Sequence, residues 1–155
     1  MSEPVEWQDD QNIEFVSLIA GGQGFCIEIT EIREIRRWSP VTPLPFSQPD
    51  VLGVMNLRGS VIPIIDLSAK LGLGAITPTA RHVIIVVVLS DRTVGLLVDA
   101  VSEILTIQGE NIRSAPNTGQ TNDIRSIRGL VEVGDGMSRV IDLRILFNDS
   151  CDLVA

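Results

Sequence analysis

Gly53-Val54-Met55-Asn56-Leu57-Arg58-Gly59-Ser60-Val61-Ile62-Pro63-Ile64-Ile65-Asp66-Leu67 is the stretch on which the fold turns. Two short runs rich in Val, Ile, Leu and Met meet at Arg58-Gly59, the pattern of strand, tight turn and strand. Asp66 follows the second run, and an Asp ahead of a short apolar segment is a good helix N-cap. Leu67–Leu71 therefore reads as a short helix. The same order recurs downstream: Gly53, Ile65, Asp66 and Leu67 lie over Gly129, Ile141, Asp142 and Leu143 when Gly53–Leu71 is set on Gly129–Phe147.

Upstream of each stretch the chain repeats again. Phe15–Arg36 lies over Ile84–Leu105 without a gap, so Phe25 meets Val94, Ile29 meets Val98 and Ile32 meets Val101. In the same frame Glu34 meets Glu103 and Ile35 meets Ile104. Both copies read strand, turn, strand, segment, glycine, strand, turn, strand, Asp-Leu, helix. The expected architecture is all-β with short helices, as two small barrels related by internal duplication. The division falls near residue 80, giving subdomains of about 13–80 and 81–148 with strand sharing between them allowed. Either barrel alone has a marginal core, so an apolar interface between them is expected.

The remaining strand signals are Ile13–Ala20, Gln23–Ile29, Val83–Leu89, Thr93–Val98, Gly129–Val133 and Ser138–Ile141, with Leu143–Phe147 as the second short helix. In Glu28–Arg37 the apolar residues Ile29, Ile32 and Ile35 recur at every third position, a spacing that also suits a helix. A turn followed by a strand is the reading adopted, here and for the copy at Asp99–Ile104. Pro40, Pro43, Pro45 and Pro49 exclude an interior strand from Ser39–Asp50, which reads as an ordered crossover loop. Residues 1–12 read as a flexible acidic tail, 114–125 as a polar, mobile loop and 149–155 as a second tail.

Composition narrows the function. The chain has 155 residues, 45% of them hydrophobic and 21% charged, with a net charge of -8. An acidic chain whose cations are scattered arginines and one lysine, Lys70, is a poor nucleic-acid binder. Val83–Leu89, the longest apolar run, is too short to enter a bilayer as a spanning helix. Cys26 and Cys151 lack CxxC spacing and the N-terminus lacks a secretion signal, so free thiols and a cytoplasmic location are expected. His82 is the sole histidine and reads as a strand-end residue, while Asp66 and Asp142 read as helix caps. No constellation supports catalysis, a metal or a cofactor.

The segment Asn56-Leu57-Arg58-Gly59 with Pro63-Ile64-Ile65-Asp66-Leu67 resembles the signature of the CheW-type chemotaxis coupling proteins. The likeness runs from about Ile13 to Asn148 and includes Val94-Gly95-Leu96-Leu97-Val98-Asp99 and Val101-Ser102-Glu103-Ile104-Leu105. It implies two SH3-like five-stranded barrels without catalytic activity or cofactor. It also implies an adaptor that joins the cytoplasmic tips of transmembrane chemoreceptors to the regulatory domain of a CheA-type histidine kinase. Such an adaptor works at the inner face of the membrane and within array rings. Carried over by position, the receptor groove takes Ile32, Glu34, Arg58, Val83, Gly95, Val101 and Ile104. The kinase surface takes Val41, Leu44, Val51 and Leu52. Arg36-Arg37-Trp38 is more basic than the family pattern and bears on partner choice.

Three functions compete at this stage: that adaptor, for swimming, twitching or another chemosensory pathway; a small-ligand-binding double barrel; and an enzyme using Asp66 or Asp142 with His82. An open apolar groove favours the first and an enclosed cavity with convergent polar groups favours the second.

Overall fold

A computed structural model describes residues 7–114 and 126–148 of the chain. The expected loop, apart from Ser114, and the expected C-terminal tail lie outside the described residues, as do residues 1–6. β1 (Asn12–Ala20) and β2 (Gln23–Glu28) form a hairpin. Gly21 and Gly22 turn it at φ +59° and +77°, the left-handed pair that a two-residue turn demands. A 3-10 turn, Ile29–Glu31, leads into β3 (Ile32–Arg37), so the ambiguous segment is turn and strand. β4 (Val51–Leu57) and β5 (Ser60–Asp66) make the next hairpin, followed by α1 (Leu67–Lys70). The second half repeats the series with β6 (Val83–Val88), β7 (Thr93–Val98) and β8 (Ala100–Gln108). After a second 3-10 turn come β9 (Arg113–Ser114), β10 (Ile127–Val133), β11 (Gly136–Ile141) and α2 (Leu143–Asn148).

The strands form two sheets, one ordered β8-β1-β2-β11-β10-β9 and the other β3-β6-β7-β5-β4. Apart from β9 the two orders are equivalent under the sequence repeat. Each sheet takes its first hairpin from one copy and its other strands from the other copy. A boundary near residue 80 therefore separates no barrel: β6 and β7 belong with β3, β4 and β5, while β1 and β2 belong with β8 to β11. The repeat extends to register. β5 runs parallel to β7 with Ile64 opposite Gly95, and β11 runs parallel to β2 with Val140 opposite Cys26. Bulges fall at Ile32/Glu34 and at the equivalent place between β1 and β8, and again at Val51/Gly53 and Ile127/Gly129.

Three apolar clusters hold this arrangement. Met55, Leu57, Ile62, Ile64, Ile84 and Val86 fill the five-stranded barrel. Ile13, Phe15, Cys26, Val131 and Val140 fill the six-stranded one. The largest cluster lies between the sheets and is itself duplicated: Phe25 with Val94, Ile27 with Leu96, Ile65 with Ile141 and Leu67 with Leu143. Each fully buried side chain of this kind contributes about 1.5–3 kcal/mol, so the shared cluster makes the two barrels one unit. Equivalent sites are balanced by volume. Where one barrel has Cys26 beside Val140, the other has Gly95, and a Cβ there would stand 2.6 Å from Ile64 Cδ1.

Local caps follow the sequence reading. Asp66 Oδ1 accepts the Ala69 N–H and Asp142 Oδ1 accepts the Ile145 N–H, each at 3.2 Å. Residues 7–12 are not a free tail. The Trp7 ring meets Phe15 edge to face at 5.9 Å between centroids, Gln11 and Gln8 close a turn, and Asn12 begins β1. An aromatic ring with an apolar site to cover overrides the polar composition around it.

Candidate partner-binding surface

β3 and β8 are edge strands at equivalent places, and each meets its neighbour through the same face. Ile32, Ile35 and Arg37 stand opposite Val87, Ile85 and Val83, residues that belong to or pack on the central cluster. Opposite residues of an antiparallel pair share a face, so β3 turns Ile32 and Ile35 toward the space between the sheets. On β8, Val101 and Ile104 stand opposite Leu18 and Val16 in the same way. Ile32 and Val101 are half-buried against the central cluster. Ile35 and Ile104 sit at its rim, 44% and 59% exposed. The family resemblance names Ile104 and not Ile35, although the self-alignment pairs the two.

The other proposed receptor contacts divide. Val83 is half-buried beside Ile32's strand and packs on the central cluster. Gly95 is fully buried, and Ile64 and Ile84 crowd the place of its missing side chain, so it stands apart from the surface set. Glu34 and Arg58 form one unit. Arg58 occupies the β4–β5 turn at φ +52° with Gly59 at +88°, and its Nη1 donates to Glu34 Oε1. The guanidinium thus bends onto β3 and does not project freely, though the side chain is 71% exposed. β3 and β4 are the two edges of one sheet, so this ion pair marks where that sheet curls closed. The Arg58 hydrogen bond, reinforced by Arg36, holds the Glu34 carboxyl below its ordinary range.

The proposed kinase contacts also divide. Val41 and Leu52 are half-buried against the core of the five-stranded barrel. Leu44 and Val51 line an open groove of about 780 Å³ with Phe46, Val61 and Pro63. Phe46 is fully exposed at φ +61° within the proline-rich crossover. Sequence reasoning passed over it; its signal was an aromatic among prolines in a chain with few aromatics.

A polar pocket of about 570 Å³ lies elsewhere, lined by Glu28, Glu31, Arg128, Asp142 and Arg144 with Trp7. Arg128 donates to Glu28 at 3.0 Å, lies 3.7 Å from Asp142 and covers the Trp7 ring at 4.1 Å. Burial, with Glu28 and Asp142 nearby, pushes the Glu31 carboxyl from 4.5 up to about 7, against the pull of Arg128 and Arg144. The folded state therefore holds this proton more tightly than the unfolded chain. Its stabilising contribution is complete below about pH 4.5 and is lost as pH rises through about 7. Melting curves of Glu31→Gln should match the parent near pH 4.5 and lie a few degrees above it at pH 8. Parallel pH profiles for the two proteins would show that Glu31 titrates normally.

Other reactive groups are occupied. His82 Nδ1 accepts the Thr79 N–H at 2.9 Å and its Nε2 lies 3.6 Å from Asp99, away from the capping Asp66 and Asp142 roles. Cys26 is buried, which pushes its thiol up to about 11. Among the described residues no three His, Cys, Asp or Glu side chains gather as a metal site.

The fold and these surfaces define a class: a duplicated double-barrel β protein that exposes apolar side chains on its edge strands and a crossover loop. The chain belongs to the CheW-like domain family, whose model matches residues 14–151. It is 43% identical over 150 residues to the probable chemotaxis protein CheW of Rhizobium etli, covering 97% of both chains. It is 45% identical over 134 residues to the chemotaxis protein CheW of Rhizobium meliloti, covering 86% of each. Among solved structures, the scaffolding protein TtCheW from Thermoanaerobacter tengcongensis superposes with a TM-score of 0.79 at 28% identity, over 88% of this chain and 93% of that one.

Proposed function

We propose that this chain is a non-catalytic adaptor that holds chemoreceptor cytoplasmic tips and the regulatory domain of a CheA-type histidine kinase at the same time. The observation that carries it is the duplicated rim, where Ile35 and Ile104 stay exposed above an otherwise closed apolar core. A helix with an apolar stripe suits such a rim. The second surface, Leu44, Phe46, Val51 and Val61, is apolar and separate, as a bridge between two partners requires. The receptor set is then Ile32, Ile35, Val101 and Ile104 with the Glu34–Arg58 pair, and the kinase set is Leu44 and Val51 with Phe46. No helix among the described residues is long and apolar enough to cross a membrane, so placement at the inner face follows from the receptor. Assembly into array rings follows from the same bivalence.

Co-sedimentation with receptor tips alone, kinase regulatory domain alone and both together tests the reading. Separate binding to each and a ternary complex with both are expected; mutual exclusion of the two partners would refute the bridge.

Arg58→Ala should weaken the receptor arm about tenfold, because a charge-assisted contact is lost and Glu34 keeps only the longer 3.4 Å contact with Arg36. Exposed ion pairs add little to folding, so the melting temperature should barely change. A steep fall in melting temperature with both partners lost would show that the pair chiefly holds the barrel closed.

A further inference from the structure

The two rims are alike in shape and unlike in charge. Ile35 on β3 is flanked by Arg33 and Arg37, both exposed. The equivalent Ile104 on β8 is flanked by Ser102 and Thr106, also exposed. Arg36 is engaged with Glu34, but neither Arg33 nor Arg37 has an ion-pair partner among the described residues. Two unengaged cations beside an exposed isoleucine stand out on a chain of net charge -8, where Arg36, Arg58, Arg113 and Arg128 each lie against a carboxylate. The linear sequence showed scattered arginines; the strand gathers these two about 13 Å apart along one edge.

We propose that the β3 rim recognises an acidic protein segment, one that carries carboxylates beside its apolar stripe, while the β8 rim takes the neutral side of the same segment. The proposal rests on the receptor reading and adds an orientation and a charge requirement to it. Opposite charges across an interface set partner choice and docking direction more than raw affinity. An anionic membrane is the weaker fit, because two arginines give little attraction against the charge of the whole chain.

The test uses the full chain with a soluble chemoreceptor cytoplasmic fragment, and the same fragment with its tip Glu and Asp changed to Gln and Asn. Arg33→Ser with Arg37→Thr copies the neutral rim onto β3 at exposed positions, where folding is little affected. This variant should bind the acidic fragment about three- to tenfold more weakly, with a shallower salt dependence. Against the amidated fragment, parent and variant should bind alike. Ile35→Glu serves as the control for the receptor reading. If it abolishes binding while the arginine variant binds both fragments like the parent, the charge proposal is wrong and the receptor reading stands. If the parent binds neither fragment, both fall. Parent binding to phosphatidylglycerol vesicles that the arginine variant loses, with unchanged receptor affinity, would assign the arginines to lipid and overturn the proposal.

Discussion

Gly53→Val is expected to lower the stability of the fold by several kcal/mol. Gly53 adopts φ +153°, a conformation that side-chain-bearing residues rarely take, at the bulge where β4 begins to pair with β5. A Cβ there would strike the Thr42 carbonyl, with Thr42 C only 2.7 Å away and Val41 Cγ2 at 2.9 Å. Relief by movement of Thr42 breaks two hydrogen bonds of 2.9 Å that tie the crossover loop to Val54. Relief by movement of β4 disturbs Met55 and Leu57 in the barrel core. Strain and lost packing together cost about 3–5 kcal/mol, a large part of a typical 5–15 kcal/mol stability. Denaturant melts should show this directly. Gly129 occupies the equivalent bulge without a left-handed φ, and its nearest contacts are at 2.9 Å, so Gly129→Ala should be milder. A Gly53→Val protein that melts within a few degrees of the parent would show that the bulge relaxes freely.

Ile104→Glu should cut receptor association about a hundredfold while the protein remains folded, and Ile35→Glu should do the same from the other rim. Both residues are largely in water in the free protein, at 59% and 44% exposure, so a carboxylate there meets little desolvation before binding. In the complex it would face an apolar stripe, and losses of 2 kcal/mol or more are usual for such central contacts. Ile32→Glu and Val101→Glu are different tests, because both side chains pack on the central cluster. A carboxylate there would disturb the joint between the barrels as well as the surface. Calorimetric melting of all four variants, followed by titration of the receptor fragment, separates the two effects. Unchanged affinity in folded Ile35→Glu and Ile104→Glu would remove the rim from the receptor site.

Much of the fold was legible because it is written in local signals. Asp66 and Asp142 cap their helices through their own third-following N–H groups, and Gly21-Gly22 turns a hairpin by its own φ values. The candidate surface was less legible. Ile32 and Ile35 look alike in sequence, and the bulge after Ile32 decides which packs on the cluster and which reaches the rim. Gly95 carried a family position yet lies inside a barrel, because Ile64 takes its volume. The resemblance placed Arg58 and Glu34 in one set, but they lie too far apart along the chain for their pairing to be seen.

The sequence by itself determined the elements, their duplication and the apolar faces, since alternation, turn glycines and capping aspartates act within a few residues. Tertiary structure alone decided which hairpin joins which barrel. The β1–β2 and β6–β7 hairpins carry the same apolar pattern, so either satisfies the edge requirements of either set of partners. Their exchange places the connecting 3-10 turn and β3 across the boundary and makes the central cluster common to both sheets. The same exchange puts β3 and β8 at equivalent outer edges, which is where the two isoleucines meet solvent.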